Sequence, residues 1–275
     1  MPKNAASITR VIAEAIEQLL GQGALAALVT LIEGPHAVGA KLLVSPSGVT
    51  TGTLGDEALD RAAAEFAPRF LESRQEANTF GAAEFAPELV SWQDAKLLFE
   101  RIEPEQRLVV CGAGHVGSSL ARLASLIGYH VTLIDDRAEF LTRALLPDEK
   151  IDLVVASRWS AAVLEAIGNG HGVSVAVVTR GHNEDEECMR ACITTHAGYL
   201  GLIGSKRRTN IVLDRLRQAG ADETHLQRVR APIGLDIGAV TPEEVALAIL
   251  AEIVAARRGG QGASLSAWRR KSSSS

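Results

Sequence analysis

The sequence predicts an α/β protein in two parts, a smaller α+β domain followed by a doubly wound parallel sheet. Three observations carry this. Residues 111–117 read C-G-A-G-H-V-G, directly after the apolar run Leu108-Val109-Val110. From Arg107 onward, strand-length apolar runs alternate with helix-length segments. Before Arg107 the runs are short and separated by turn residues, and a Pro-containing stretch closes them off.

The elements follow in chain order. Ile8–Leu20 repeats apolar residues at helical spacing, and Gly21-Gln22-Gly23 ends it. Ala24–Ile32 is a continuous apolar run of strand length, Ala40–Val44 a second strand and Val49–Leu54 a third, with Ser45-Pro46-Ser47-Gly48 turning between the last two. Asp56–Leu71 predicts a helix interrupted at Pro68. This α+β unit occupies residues 1–90, and 91–106 is expected to be a linker. The second domain, 107–258, carries strands at Arg107–Cys111, His130–Ile134, Asp152–Ala156, Val173–Thr179 and Tyr199–Ile203 with helices between them. Thr241-Pro242-Glu243-Glu244 is an N-cap, a Pro in the first turn and two acidic residues, so it starts a helix running to about Arg258. The tail, 259–275, is Gly/Ser-rich and expected to be disordered.

Gly112 to Gly117 form a G-x-G-x-x-G that opens the helix Ser118–Ile127; a second strand and Asp135-Asp136 follow. That is a complete β-α-β unit of Rossmann type. The first Gly permits a tight turn, the second lets backbone approach a pyrophosphate, and the third lets helix pack on strand. The helix start adds free N–H donors for an anion.

Composition sets limits. Of 275 residues, 47% are hydrophobic and 22% charged, which is ordinary globular usage; aromatics are only 4%, so the core rests on Leu, Val, Ile and Ala. A net charge of −5 argues against a nucleic-acid surface. No apolar run reaches the roughly 18 residues of a membrane span, and the reading is no membrane partner. Three cysteines cannot build a disulfide framework, so a reducing cytoplasm is expected. Cys188 and Cys192 share one helical face; no further Cys/His spacing completes a metal site, and a buried apolar pair is the preferred reading.

In a doubly wound sheet, ligands bind beyond the carboxyl ends of the strands. After the first strand come Gly112, Gly114, His115 and Gly117; after the second, Asp135, Asp136 and Arg137; after the third, Ser157 and Arg158. After the fourth come Arg180 and His182, and after the fifth Ser205, Lys206, Arg207 and Arg208. Four of these five ends carry a cation in a net-acidic chain. The pattern predicts a crevice for a phosphorylated or otherwise anionic ligand. Lys206-Arg207-Arg208 open a helix, where cations oppose the dipole, which favours a bound anion there. Asp135 suits a ribose hydroxyl and Arg137 a phosphate; His115 either donates to a ligand oxygen or caps its helix. Catalytic motifs are lacking: no Tyr-x-x-x-Lys, G-x-S-x-G or H-E-x-x-H occurs. Glu184 to Glu187 read either as proton-transfer groups near His182 or as an acidic first helical turn. Binding is better supported than chemistry.

Several longer strings add a resemblance. They are G-A-G-H-V at 112–116, D-D-R at 135–137, T-R-G-H at 179–182, Y-L-G-L-I-G-S-K-R-R at 199–208, A-P-I-G-L-D-I-G at 231–238 and T-P-E-E-V-A at 241–246. In this order the chain resembles the XdhC/CoxI family, accessory proteins of molybdenum hydroxylases such as xanthine dehydrogenase. The resemblance implies a cytoplasmic, homodimeric, non-catalytic chaperone. It would bind molybdenum cofactor (molybdopterin or its dinucleotide form), aid its sulfuration and insert it into an apo molybdenum hydroxylase, with a cysteine desulfurase as a further partner. The candidate cofactor-binding set is Gly112, Gly114, His115, Gly117, Asp135, Arg137, Arg180, His182, Ser205, Lys206 and Arg207. Two alternatives stand beside this: an NAD(P)-binding oxidoreductase, and a protein-interaction module with a vestigial crevice. The N-terminal half departs from the family pattern. Glu33-Gly34-Pro35-His36 stands where relatives carry Gly-Ser-x-Pro-Arg, and Asp56-Glu57-Ala58 where they carry Gly-Gly-Cys. That implies binding without sulfuration, a different hydroxylase, or work beside a fuller paralogue. Cys111 is the nearest substitute thiol and reads as a buried strand residue.

Overall fold

The computed structural model describes residues 3–73 and 75–266. It divides into two compact units between Pro104 and Glu105.

In the first unit, α1 (Lys3–Gly21), β1 (Ala26–Glu33), β2 (Lys41–Val44), β3 (Thr50–Thr53), α2 (Glu57–Glu72), β4 (Ala77–Gly81), the short α3 (Ala82–Phe85) and β5 (Lys96–Ile102) follow in order. The strands form an antiparallel sheet ordered β3-β2-β1-β5-β4. β1 reads as an unbroken apolar run because both its faces are covered. Ala27, Val29 and Leu31 join the core under α2, while Ala26 and Leu28 pack with Ile12 of α1.

Two expectations are corrected here. The expected linker, 91–106, contains β5, which pairs along β1 from Ala26↔Ile102 to Leu31↔Leu97. Its burial comes from that distant pairing, and its polar end (Glu100, Arg101) concealed it. Pro68 does not interrupt α2, which continues to Glu72. Only one turn lies beyond Pro68, and the buried Phe70 anchors that turn in the core.

The second unit runs β6 (Arg107–Cys111), α4 (His115–Leu126), β7 (His130–Asp135), β8 (Ile151–Val155), α5 (Trp159–Ile167), β9 (Val173–Val177), α6 (His182–Cys192), β10 (Tyr199–Leu202), α7 (Lys206–Gln218), α8 (Glu223–Leu226), β11 (Val229–Arg230) and α9 (Pro242–Arg258). All six strands are parallel, ordered β11-β10-β9-β6-β7-β8. This is the doubly wound Rossmann-like sheet the sequence predicts. α5, α6 and α7 bury one face and α4 with α9 the other. The order reverses between β6 and β9, where a doubly wound sheet opens its ligand crevice.

Between β7 and β8 there is no α-helix, only the 3-10 turn Ala138–Phe140 and a loop. Arg122 and Arg143 satisfy loop carbonyls at Leu145 and Asp148. β11, two residues long, was not expected from the sequence. At α9 the Thr241 hydroxyl accepts from the Glu244 amide and Glu244 accepts in return from the Thr241 amide, the expected capping arrangement. Of the expected disordered tail, residues 267–275 lie outside the described residues. No helix among the described residues is long and apolar enough to cross a membrane.

Candidate functional site

Every candidate residue lies at or beyond the carboxyl end of a strand in the second unit, so the fold gathers the set onto one sheet edge. Their environments divide them sharply.

The glycine loop is built by close contact. Gly112 has φ +117°, and a Cβ there would stand 2.6 Å from the Val178 carbonyl oxygen. A Cβ on Gly117 would stand 1.8 Å from the Gly112 oxygen. These two glycines serve the turn and the helix–strand contact. Gly114 is the N-cap of α4, and a Cβ there would meet nothing within 4 Å. Open space therefore lies before the α4 start, where the first amides have no intrahelical partner. His115, the first helical residue, is exposed.

Asp135 does not fit the ribose role suggested by sequence. It is buried, and its oxygens are already used. Oδ2 accepts from the Ala113 amide at 2.7 Å and from Arg137 Nη2 at 3.0 Å; Oδ1 accepts from the Arg137 amide and Nε at 3.0 and 2.9 Å. Asp135 thus ties the middle of the glycine loop to β7. Arg137 is fixed by the same bonds and lies over the Phe140 ring at 4.1 Å, so it is not a free phosphate ligand. Arg180 meets Asp136 through two bonds, Nη1–Oδ1 at 2.7 Å and Nη2–Oδ2 at 2.9 Å. That guanidinium holds the Asp136 carboxyl down at about 2.

The fifth strand end shows a second division. The Ser205 hydroxyl accepts from the Arg208 amide at 3.3 Å and caps α7. Arg208 reaches back to Asp185, a fully buried carboxylate on α6 that also accepts from the Thr179 hydroxyl at 2.6 Å. Burial pushes the Asp185 carboxyl up, against the pull of Thr179 and Arg208. The sequence places Asp185 in a run that reads either as proton-transfer groups near His182 or as an acidic first helical turn, and its bonds to Thr179 and Arg208 fit neither. The missed signal is its phase: residue 185 shares the inward stripe of Cys188, Met189 and Cys192. Glu184 and Glu186, by contrast, meet Arg180 and Arg190 at the surface. Lys206, Arg207 and Arg158 are exposed with side chains unpaired among the described residues, and His182 is exposed at the start of α6.

The three thiols are all buried. The neighbouring Cys188 thiol and burial push Cys111 up, and burial pushes Cys192 up. Among the described residues no group of three His, Cys, Asp or Glu side chains is placed to hold a metal ion. In the first unit, Asp56 caps α2 by accepting from the Ala58 and Leu59 amides, and the His36 ring packs on Trp92 at 4.7 Å. Asp56 and His36 therefore have structural work of their own.

Comparisons with known proteins agree with this architecture. The model of the XdhC Rossmann domain matches residues 108–253, and that of the XdhC and CoxI family matches residues 19–81. The uncharacterized protein YqeB of Escherichia coli (strain K12) is 32% identical over 231 residues, 81% of this chain and 41% of that protein. A probable xanthine dehydrogenase subunit of Bacillus subtilis (strain 168) is 32% identical over 166 residues, 60% of this chain and 47% of that protein. The chain thus spans less than half the length of these curated relatives. A solved structure described as a xanthine dehydrogenase from Bacillus halodurans shares the fold, with a TM-score of 0.61 at 21% identity, covering 94% of this chain and 68% of that one. With the Rossmann-domain model alone spanning more than half its length, the chain belongs to the XdhC/CoxI family.

Proposed function

We propose that this protein is an accessory factor for a xanthine dehydrogenase-type molybdenum hydroxylase, and that it carries molybdenum cofactor on the crevice edge of its second unit. One observation carries the reading. Lys206 and Arg207 open α7 unpaired among the described residues, on the same sheet edge as the open space before Gly114 and the α4 amides. Cations and helix-start amides are the donor set for a phosphate or pyrophosphate, which this cofactor bears in its mono- and dinucleotide forms. Lys206, Arg207 and the α4 start would hold that phosphate. When bound, the cofactor would supply the redox-active metal centre its hydroxylase needs.

Two features shape the proposal. Buried thiols do not suit sulfur transfer, which needs an accessible thiolate. Carriage without sulfuration is therefore the better fit, with any cysteine desulfurase acting elsewhere. The internal use of Asp135 removes the ribose acceptor on which a nicotinamide reading rests. The homodimer implied by resemblance stays part of the proposal, and Leu247 of α9 is half exposed.

The test is cofactor retention. The protein is purified from a host making molybdenum cofactor, oxidised, and its fluorescent pterin quantified beside a Lys206→Ala/Arg207→Ala variant. Near-stoichiometric pterin in the parent and loss in the variant are expected. A parent without pterin, or a variant that keeps it, defeats the proposal.

A further inference from the structure

We infer that Arg180 and Asp136 form a clasp across the glycine loop, which an incoming anion must open by taking Arg180 from Asp136. The inference rests on the anion-binding reading above and adds how that site is gated.

The topology comes first. The glycine loop issues from β6, and β6 lies between β9 and β7. Arg180 belongs to the loop after β9, and Asp136 directly follows β7. Their bidentate pair therefore joins the segments that follow the two strands flanking the loop. The same guanidinium stands 3.9 Å from Asp135 Oδ1, while Asp135 Oδ2 holds the amide of Ala113 inside the loop. Arg180 thus sits beside the carboxylate that anchors the glycine loop, at the mouth where a Rossmann ligand places its phosphates.

Charge completes the argument. Asp135, Asp136 and Glu184 surround the two guanidiniums of Arg137 and Arg180, with Arg180 Nη2 3.9 Å from Glu184. While closed, this cluster carries one more carboxylate than cation and repels an anion. Arg137 cannot change partners readily, being fixed by backbone and side-chain bonds to Asp135 and by Phe140. Arg180 can: it is 46% exposed and its partner Asp136 is 31% exposed. Asp136 is then the residue that sets how much an anion must offer, and Arg180 the residue that meets it.

The test titrates inorganic pyrophosphate into the full chain by calorimetry at low ionic strength. A partly exposed ion pair of ordinary strength leaves the open form in a minority, so Asp136→Asn is expected to bind about fivefold tighter. Arg180→Ala is expected to bind about tenfold weaker than the parent through loss of a charge-assisted contact. Removing any carboxylate helps an anion through space, so Asp136→Asn is also made in the Arg180→Ala background. The clasp predicts that its gain disappears there. A gain that persists, no gain in the single variant, or no pyrophosphate binding by any of the proteins overturns the clasp. Pterin retention is measured in parallel. Pterin in the parent with unchanged affinity in Asp136→Asn sinks the clasp alone; a clasp-like cycle without pterin sinks the cofactor proposal alone.

Discussion

Removing Arg208 tests the buried network between α6 and α7 most directly. Arg208 is 27% exposed, whereas its partner Asp185 is fully buried. Arg208→Ala leaves Asp185 with the Thr179 hydroxyl as its remaining side-chain donor. Orphaning a buried carboxylate costs about 3–5 kcal/mol. The carboxyl has an escape, because it can take a proton instead. At pH 7 that escape costs about 1.36 kcal/mol per unit between pH and an unfolded value of 3.8, or about 4.4 kcal/mol, and this caps the loss. The sign follows from the proton balance. The variant raises the folded value of Asp185 further, so the folded state holds the proton longer than the unfolded one. Its deficit is therefore smallest near pH 4 and grows as pH rises toward the folded value. Urea unfolding at pH 7 and pH 5 measures this through the transition of the second unit. With a slope of about 2 kcal/mol/M, the midpoint is expected to drop by about 1.5–2 M at pH 7 and by less than about 1 M at pH 5. An equal drop at both pH values would show that lost packing, not an orphaned charge, sets the cost. Asp185→Asn in the same background should recover most of the loss at pH 7.

Other expectations are separable from this one. Gly117→Ala should lower stability by about 3 kcal/mol or more, because its Cβ would meet backbone at 1.8 Å, whereas Gly114→Ala, which only trades one N-cap residue for a poorer one, should lower it by about 1 kcal/mol or less. Thermal unfolding distinguishes the two, and equal effects would contradict the loop geometry. Asp136, held at about 2 by Arg180, contributes stability that is present above pH 3.8 and lost as pH falls through about 2. Asp136→Asn should flatten the melting temperature across that window, and an unchanged slope would assign it to other carboxylates. Because Cys111, Cys188 and Cys192 are all buried, a chromogenic disulfide reagent at pH 8 should label none of them in the folded protein and all three in denaturant. Any thiol labelled as fast as free cysteine would reopen the question of sulfur transfer.

How far the sequence reads through depends on whether a residue's partner is local. β6, β7, β9 and β10 are apolar because a parallel sheet covers both faces, and apolar runs mark them to within two residues. β4 and β5 escaped because their cue is distant. β4 is an edge strand whose one large apolar residue is Phe80 among small and polar neighbours, and β5 is recognised through its pairing with β1 some seventy positions upstream. The site divides likewise. The glycine spacing is local and announces a loop whose contacts the structure bears out. The strand-end cations were also visible, but not their commitments. Arg180 finds Asp136 44 residues away and Arg208 finds Asp185 23 away, pairings set by strand order and helix phase. A list of cations at strand ends therefore overstates the free positive charge.

What remains after pairing gives the sharpest argument for function. Among the described residues, the strand-end cations Arg137, Arg180 and Arg208 each face a carboxylate, and Arg158, Lys206 and Arg207 do not. Lys206 and Arg207 are also the first two residues of α7, where the dipole disfavours each by about 0.3–1 kcal/mol. Arg208, one position on, is offset by Asp185 and serves the fold. Its two neighbours have no such counterpart among the described residues. Lys206→Ala/Arg207→Ala should therefore gain about 0.6–2 kcal/mol in stability while losing pterin, a trade expected of binding residues. Chemical denaturation and pterin release on the same preparation check both halves. A variant that loses stability would show these cations to be structural, and one that gains stability yet still carries pterin would move the binding site away from α7.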